Sequence, residues 1–355
     1  MTAKRVTMRQ IADAVGVSRT TVSFVLNNVP GIKISPGTRL RILEVARELN
    51  YVPDSAATRL AGGRSGTVAL VLRQSPHQVV SDQFLMQVLL GVSAAVKDRG
   101  FHVLVEPLNP ADETVSYGDL IHSRHADGLV VSGPRIDDAD LRRVYEEGIP
   151  VVMMSHMPDN NIPFVDVDNV RGAHIAVQHL LDLGHHRIAY VSNAPPIYAA
   201  SLDRLKGYQQ TLEQGGIPYD DRLVRYGEYT DDSGVKAMTE LLGLDVLPTA
   251  VFVASDVVAL GALVAIRAAG LRVPEDIAMV GFDDIPLAQY VDPPLTTVRL
   301  PAYGLGWGAG EMLMRLIQEK TAVVSTQVLL DTELVVRESC GWKKRGRISK
   351  KSTTS

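Results

Sequence analysis

Apolar positions along the first fifty residues recur at intervals of three and four, the period of an amphipathic helix. Met8, Ile11, Ala12 and Val15 mark one stripe. Thr7 with Gln10 three positions on gives that helix a reciprocal capping start, and Gly16 stops it. Val22, Val25 and Leu26 mark a second stripe capped by Ser18, and only Val15–Gly16–Val17 separates the two. A third helix is predicted from Ser35–Pro36, a cap followed by proline at the first helical position. It is expected to bury Leu40, Leu43, Val45 and Ala46 and to stop near Asn50. Two short helices joined by a glycine-bearing turn predict an all-α helix-turn-helix headpiece.

From Thr67 the pattern changes. Short β-branched runs at 67–72, 102–106, 128–132, 151–154, 187–192, 250–255 and 277–282 alternate with helical stretches such as 83–99. This alternation predicts α/β architecture, parallel strands covered by helices on both faces. About 275 residues exceed one ordinary sheet of this kind, so two lobes are expected. Ligands of such sheets bind beyond the carboxyl ends of the strands. The residues just after each strand are therefore candidates, Arg73 after the first among them.

Charge sharpens the division. Residues 1–64 carry a net +6 and residues 343–355 another +6, which leaves −16 on the middle of a chain whose total is −4. A cationic end with periodic helices points to a polyanionic partner, whereas the cationic tail reads as solvated. In a helix-turn-helix the second helix enters the major groove and its first side chains reach base edges. Here those are Arg19, Thr20 and Ser23, with Phe24 next; arginine can pair bidentately with guanine, and Phe24 can touch a thymine methyl or cover sugar.

Cys340 is the only cysteine, so no intramolecular disulfide can form, which fits a reducing compartment. Neither a secretory signal nor a membrane-spanning run is apparent, and a cytoplasmic location is expected. The sequence contains no GxxxxGK[ST], GxSxG or HExxH pattern. Gly304, Gly306, Gly308 and Gly310 follow no strand and predict close helix packing, and His122, His125, His185 and His186 form no convincing metal set. Neither an enzyme, a cofactor nor a metal is expected.

The stretches VTMRQIADAVGVSRTTVSFVLNN and NYVPDSAATRLAGG, followed by DGLVVSG, RLKGYQQTLEQGGI and AMVGFDD, closely resemble the lactose/galactose repressor family of bacterial regulators, from about Val6 to Ser339. The resemblance implies DNA contacts from Thr7, Arg9, Ser18, Arg19, Thr20, Thr21, Ser23, Phe24 and Asn27, with phosphate contacts from Lys4 and Arg5 as well. It also implies a hinge helix at 53–64, capped by Asp54 and ended by Gly62–Gly63. There Ala57, Leu60 and Ala61 would meet the minor groove, with Leu60 as an apolar wedge between base pairs. The headpiece would span 1–52, and a body like periplasmic sugar-binding proteins 65–340, followed by a basic tail at 341–355. Lobe one would take about 65–162 and 292–322, and lobe two about 163–291 and 323–340.

The same resemblance implies a small-molecule effector, a carbohydrate by default with a purine as the alternative. Its contacts would be Arg204 and Asp283, gripping hydroxyls from opposite sides, with Tyr229, Phe84 and Ser255. Ser255 stands where the family commonly has asparagine, and Asp82–Gln83–Phe84–Leu85 replaces an N-P-F-F run, behind a loop at 73–81 that is longer than usual. Asp168 and Asp256 are expected as helix caps. The tail lacks the apolar heptads of the family's tetramers, so a homodimer on a near-palindromic duplex is expected, acting as repressor or activator.

Overall fold

The computed structural model describes residues 6–26, 29, 31–51, 65–109, 116–319 and 327–341. They form two separate units, divided between Ser65 and Gly66. Lys4, Arg5, Asn27, Asp54, Ala57, Leu60, Ala61, Gly62, Gly63 and the tail from 342 onward lie outside the described residues.

The first unit holds α1 (Met8–Val15), α2 (Arg19–Leu26) and α3 (Pro36–Glu48). The Gln10 side chain accepts from the Thr7 backbone N–H at 2.8 Å, and Gly16 ends α1 at φ 75°. Ser18 accepts from the Thr21 N–H at 3.0 Å, and Ser35 from Thr38 at 3.1 Å. Ile11, Ala12, Val22, Val25, Ile42 and Ala46 form the core. The expected stripe of α3 is corrected here, because Leu40 and Leu43 are 60% and 44% exposed. At about 100° per residue they lie roughly 160° and 100° around the helix from Ile42, whose own side faces α1 and α2.

The second unit contains two six-stranded sheets, in the order β11-β5-β4-β3-β1-β2 and β12-β10-β9-β8-β6-β7. In the first lobe β1 (Thr67–Leu72), β2 (His102–Pro107), β3 (Leu129–Ser132), β4 (Val151–Met154) and β5 (Phe164–Val167) run parallel, and β11 (Gln327–Leu330) joins them beside β5. The second lobe holds β6 (Ile188–Val191), β7 (Val224–Arg225), β8 (Ala250–Val253), β9 (Ala278–Asp283) and β10 (Thr296–Arg299), with β12 (Glu333–Val335) antiparallel at the edge. The central strands are apolar throughout because helices cover both faces.

The chain changes lobe after Val167, after Arg299 and between Leu330 and Glu333. Each crossing falls a few residues later than the resemblance implied. Phe164–Val167 pairs with β4 and so stays in the first lobe. Thr296–Arg299 pairs with β9, Val298 opposite Phe282, and so stays in the second lobe.

Several helices position the cleft. They are α4 (Pro76–Ser81), α5 (Gln83–Lys97), α8 (Asn169–Asp182), α9 (Ala199–Gln214), α10 (Asp231–Leu242), α11 (Asp256–Ala268) and α12 (Ala302–Glu319); α6 (Tyr117–His122) and α7 (Ala139–Glu146) lie between β2 and β4 in the chain. The long loop after β1 is thus a short helix, α4, capped by Ser75.

Alpha-helices 5 and 12 meet at backbone distance. A Cβ on Gly306 would lie 2.2 Å from the Val88 carbonyl oxygen, and one on Gly91 2.2 Å from that of Tyr303. Gly310, one turn on, faces Ala95, whereas Gly304 and Gly308 turn toward Leu330 and Val165 of the sheet. Gly306→Ala should therefore cost about 1–3 kcal/mol and lower the Tm by several degrees. Gly308→Ala, with its nearest neighbour at 3.4 Å, should be neutral or stabilising in the same thermal melt.

Candidate functional site

The carboxyl ends of both sheets point into one cleft between the lobes, with a cavity volume of about 840 Å³ counting its open mouth. Arg73 and Gln74 follow β1, Ser132 and Gly133 close β3, Ser155 follows β4 and Asp166 belongs to β5. From the other lobe come Asn193 after β6, Ser255 after β8 and Asp283 at the end of β9. Asp82 and Phe84 enter from the start of α5, Tyr198 and Arg204 from α9 and its cap, and Tyr229 from the loop before α10. All seven residues expected to hold an effector therefore line one cavity. Ser155, Tyr229 and Asp283 take φ of 90°, 58° and 125°, conformations that cost energy for side-chain-bearing residues and that cluster at binding sites.

Arg204 is buried. Its Nε donates to Asn169 Oδ1 at 2.9 Å and its Nη1 to the Ala254 carbonyl at 2.6 Å, while its guanidinium lies 3.9 Å from the Phe282 ring centre. Nη1 is also 3.9 Å from Asp283 Oδ1. Both residues thus belong to the second lobe and sit side by side, which corrects the expectation that they grip from opposite sides. The sequence separates them by nearly eighty positions, and only tertiary packing brings them together: α9 packs against α8, and α8 lies against β8 and β9.

Burial pushes the Asp283 carboxyl above the ordinary range, Arg204 opposes that, and Asp82 across the cleft adds to it. Asp283 also accepts from the Asp256 N–H at 3.3 Å and from the Ser255 hydroxyl. Asp256 is no cap, contrary to expectation. It is fully buried within the first turn of α11 and accepts from Thr297 Oγ1 at 2.7 Å and the Ile285 N–H at 3.0 Å. Its carboxyl is raised by burial and then by Asp283. Asp168 does cap α8, through the Arg171 N–H at 2.8 Å.

On the first-lobe wall Arg73 lies 3.7 Å from Asp138 and over the Tyr117 ring, and Tyr117 donates to Asp138 at 2.7 Å. Arg73 Nε, Gln74 Oε1 and Asn193 Oδ1 are buried without a hydrogen-bond partner, and all three residues line the cavity. Buried polar atoms are normally paired, so this concentration marks where a ligand's groups complete the network. Tyr198 and Tyr229 form an edge-to-face pair beside them, with centres 5.6 Å apart.

The lobes are tied around this cavity. Gln78 Nε2 donates to the Glu228 carbonyl at 2.8 Å, Leu287 N–H to Gln83 Oε1 at 3.3 Å, and Ile136 N–H to the Ile197 carbonyl at 2.9 Å. His156 stands between Asp166 of its own lobe at 3.5 Å and Asp203 of the other at 3.7 Å, and the Asp166 bond raises its pKa. Gln74, Asn193, Tyr198 and His156 were not singled out from sequence. The rule that ligands sit after strands reaches Gln74 and Asn193, but their unpaired atoms are a tertiary fact.

In the headpiece Arg9, Arg19 and Thr20 are exposed, and Thr7 and Ser18 lie at helix starts. Thr21, Ser23 and Phe24 are half-buried at the flank of α2, opposite buried Val22 and Val25. The exposed start of α2 therefore presents its polar side chains outward, as a groove-reading helix requires.

The model of bacterial regulatory proteins of the lacI family matches residues 7–54, and that of the periplasmic binding protein-like domain matches 177–340. The HTH-type transcriptional regulator CelR of Thermobifida fusca is 37% identical over 340 residues, 95% of this chain and 98% of CelR. This chain belongs to the lacI family. A solved structure described as the transcriptional regulator CelR–cellobiose complex superposes with a TM-score of 0.73 at 36% identity, over 94% of this chain and 100% of that one. One of the lac repressor dimer bound to operator and the anti-inducer ONPF gives 0.81 at 28% identity, over 95% and 99%. This lacI-family protein is accordingly an HTH-type transcriptional regulator, with the helical headpiece and two-sheet α/β body expected of it. No helix among the described residues is long and apolar enough to cross a membrane.

Proposed function

We propose that this lacI-family regulator binds a near-palindromic operator as a homodimer in the cytoplasm, and that a carbohydrate held in the cleft alters its operator affinity. Its role is regulatory binding rather than catalysis. The observation that carries this reading is the convergence of seven separately placed side chains and three unpartnered buried polar atoms on one interlobe cavity. Arginines, carboxylates and amide oxygens beside an edge-to-face tyrosine pair suit a hydroxyl-rich ring, with polar groups setting orientation and aromatic edges and faces covering its apolar parts. CelR, described in complex with cellobiose, supports the ligand class, and the operator-bound lac repressor dimer supports the assembly. Met86 and Leu90, one helical turn apart on α5, are exposed apolar side chains that a second copy could cover. Arg19, Thr20, Ser23 and Phe24 read bases, and Thr7, Arg9, Ser18 and Thr21 hold the duplex backbone. A ligand shifts DNA affinity only by preferring one lobe arrangement, and the interlobe ties at Gln78, Gln83 and Ile136 are contacts that such a preference would act on.

The test is fluorescence anisotropy of the full-length protein on its own promoter and on random duplex, with cellobiose and a panel of neutral sugars. Promoter affinity should exceed random affinity by about a thousandfold or more, fall steeply with salt, and change at least about tenfold with one sugar. Equal affinity for both duplexes under every sugar would sink the reading.

A further inference from the structure

Asp82 stands where the first-lobe wall meets the opening turn of α5, held by chain geometry rather than by a cation. Its Oδ1 accepts from the Phe84 backbone N–H at 2.9 Å, and the Gln74 side chain also bonds to it. It is 8% exposed, and among the described residues no cation pairs with it. The two cleft arginines are committed elsewhere, Arg73 beside Asp138 at 3.7 Å and Arg204 beside Asp283 at 3.9 Å. The unpartnered atoms lean the same way. Gln74 Oε1 and Asn193 Oδ1, on residues 9% and 3% exposed, are acceptors, against one donor at Arg73 Nε. A ligand that completes this wall has to bring hydrogen-bond donors. Hydroxyl groups do so at no charge, whereas a phosphate or carboxylate brings acceptors and a like charge into a buried carboxylate's field.

We propose that Asp82 is the specificity residue of this cleft, accepting a hydroxyl of an uncharged polyhydroxyl ligand and excluding the phosphorylated or carboxylated form of the same molecule. The assignment rests on the carbohydrate reading above and narrows it. It also places the specificity at a position where this chain departs from the run seen in its family, Asp82–Gln83–Phe84–Leu85. Asparagine at this position keeps the oxygen that caps α5 and loses the charge, so Asp82→Asn isolates the electrostatic part.

The experiment is calorimetric titration of full-length wild type and Asp82→Asn with neutral mono- and disaccharides, cellobiose included, each beside its 6-phosphate and its uronic acid. In the wild type the anionic forms should bind more than about tenfold more weakly than their neutral partner, and Asp82→Asn should narrow that ratio by about tenfold or more. An anionic form that binds the wild type within tenfold of its neutral partner overturns the proposal, and this arm needs no variant. So does an unchanged ratio in a folded Asp82→Asn. Both outcomes leave the carbohydrate reading standing. If no neutral sugar binds the wild type at all, the carbohydrate reading fails and this assignment falls with it.

Discussion

Arg204→Ala is expected to lower carbohydrate affinity by at least about a hundredfold and to destabilise the second unit by about 3–5 kcal/mol, while the headpiece remains folded. Both losses follow from the same burial. The guanidinium satisfies Asn169 and the Ala254 carbonyl, and it is the one cation beside Asp283 among the described residues. Truncation takes their donor from the Ala254 carbonyl and the Asn169 amide oxygen and leaves the buried Asp283 carboxylate without its cation, and each stranded group carries its desolvation cost. Arg204→Lys retains the charge but not the planar fork, so it should recover part of the stability and little of the affinity. Urea unfolding of the two variants and calorimetry with a sugar that binds the wild type separate the effects. Full ligand affinity in folded Arg204→Ala would remove this residue from the site.

Thermal stability should fall between about pH 4 and pH 6–7, and Asp82→Asn should remove much of that slope. Burial pushes the Asp82 carboxyl up to about 6 from 3.8, only partly offset by the Phe84, Leu85 and Gln74 hydrogen bonds. The folded chain then holds a proton that the unfolded chain has released. Stability is fully present below the unfolded value and is lost as pH rises through the folded one. For Asp82 alone the loss is on the order of 2–3 kcal/mol. Asp283, raised by burial, contributes in the same direction, as does His156, whose carboxylate neighbours raise its pKa. Scanning calorimetry from pH 5 to pH 8 should show wild type and Asp82→Asn diverging toward alkaline pH, with the variant the more stable. Parallel curves would mean that Asp82 carries no such penalty. A site that destabilises its own fold to keep a specificity charge is the trade expected at binding residues.

Much of this was legible in the sequence. TVALVL announces a covered strand by composition alone, and Thr7, Ser18 and Ser35 mark helix starts because the local backbone needs an acceptor there. What failed was whatever depends on distant chain. Val224–Arg225, Gln327–Leu330 and Glu333–Val335 are edge strands of two to four residues, too short to leave a periodic signal. Leu40 and Leu43 look like core by residue type and are not, since Ile42 and Ala46, with Val45 half-buried beside them, face the headpiece core. Asp256 follows a strand as Asp168 does, yet one is locked under Thr297 and the other caps a helix; the difference lies in β10, about forty residues away.

The close backbone approach of α5 and α12 has a counterpart in the other lobe, where a Cβ on Gly261 would lie 1.8 Å from the Asp231 carbonyl and one on Gly234 2.0 Å from that of Val258. Helices locked at that spacing cannot slide past one another without unpacking. The deformable degrees of freedom are thereby concentrated in three crossing segments, at Asp168, at Leu300–Pro301 and at Asp331–Thr332. A binding event in the cleft then acts as torque on two stiff plates, and the work it does is delivered at their joints instead of being dissipated within either plate.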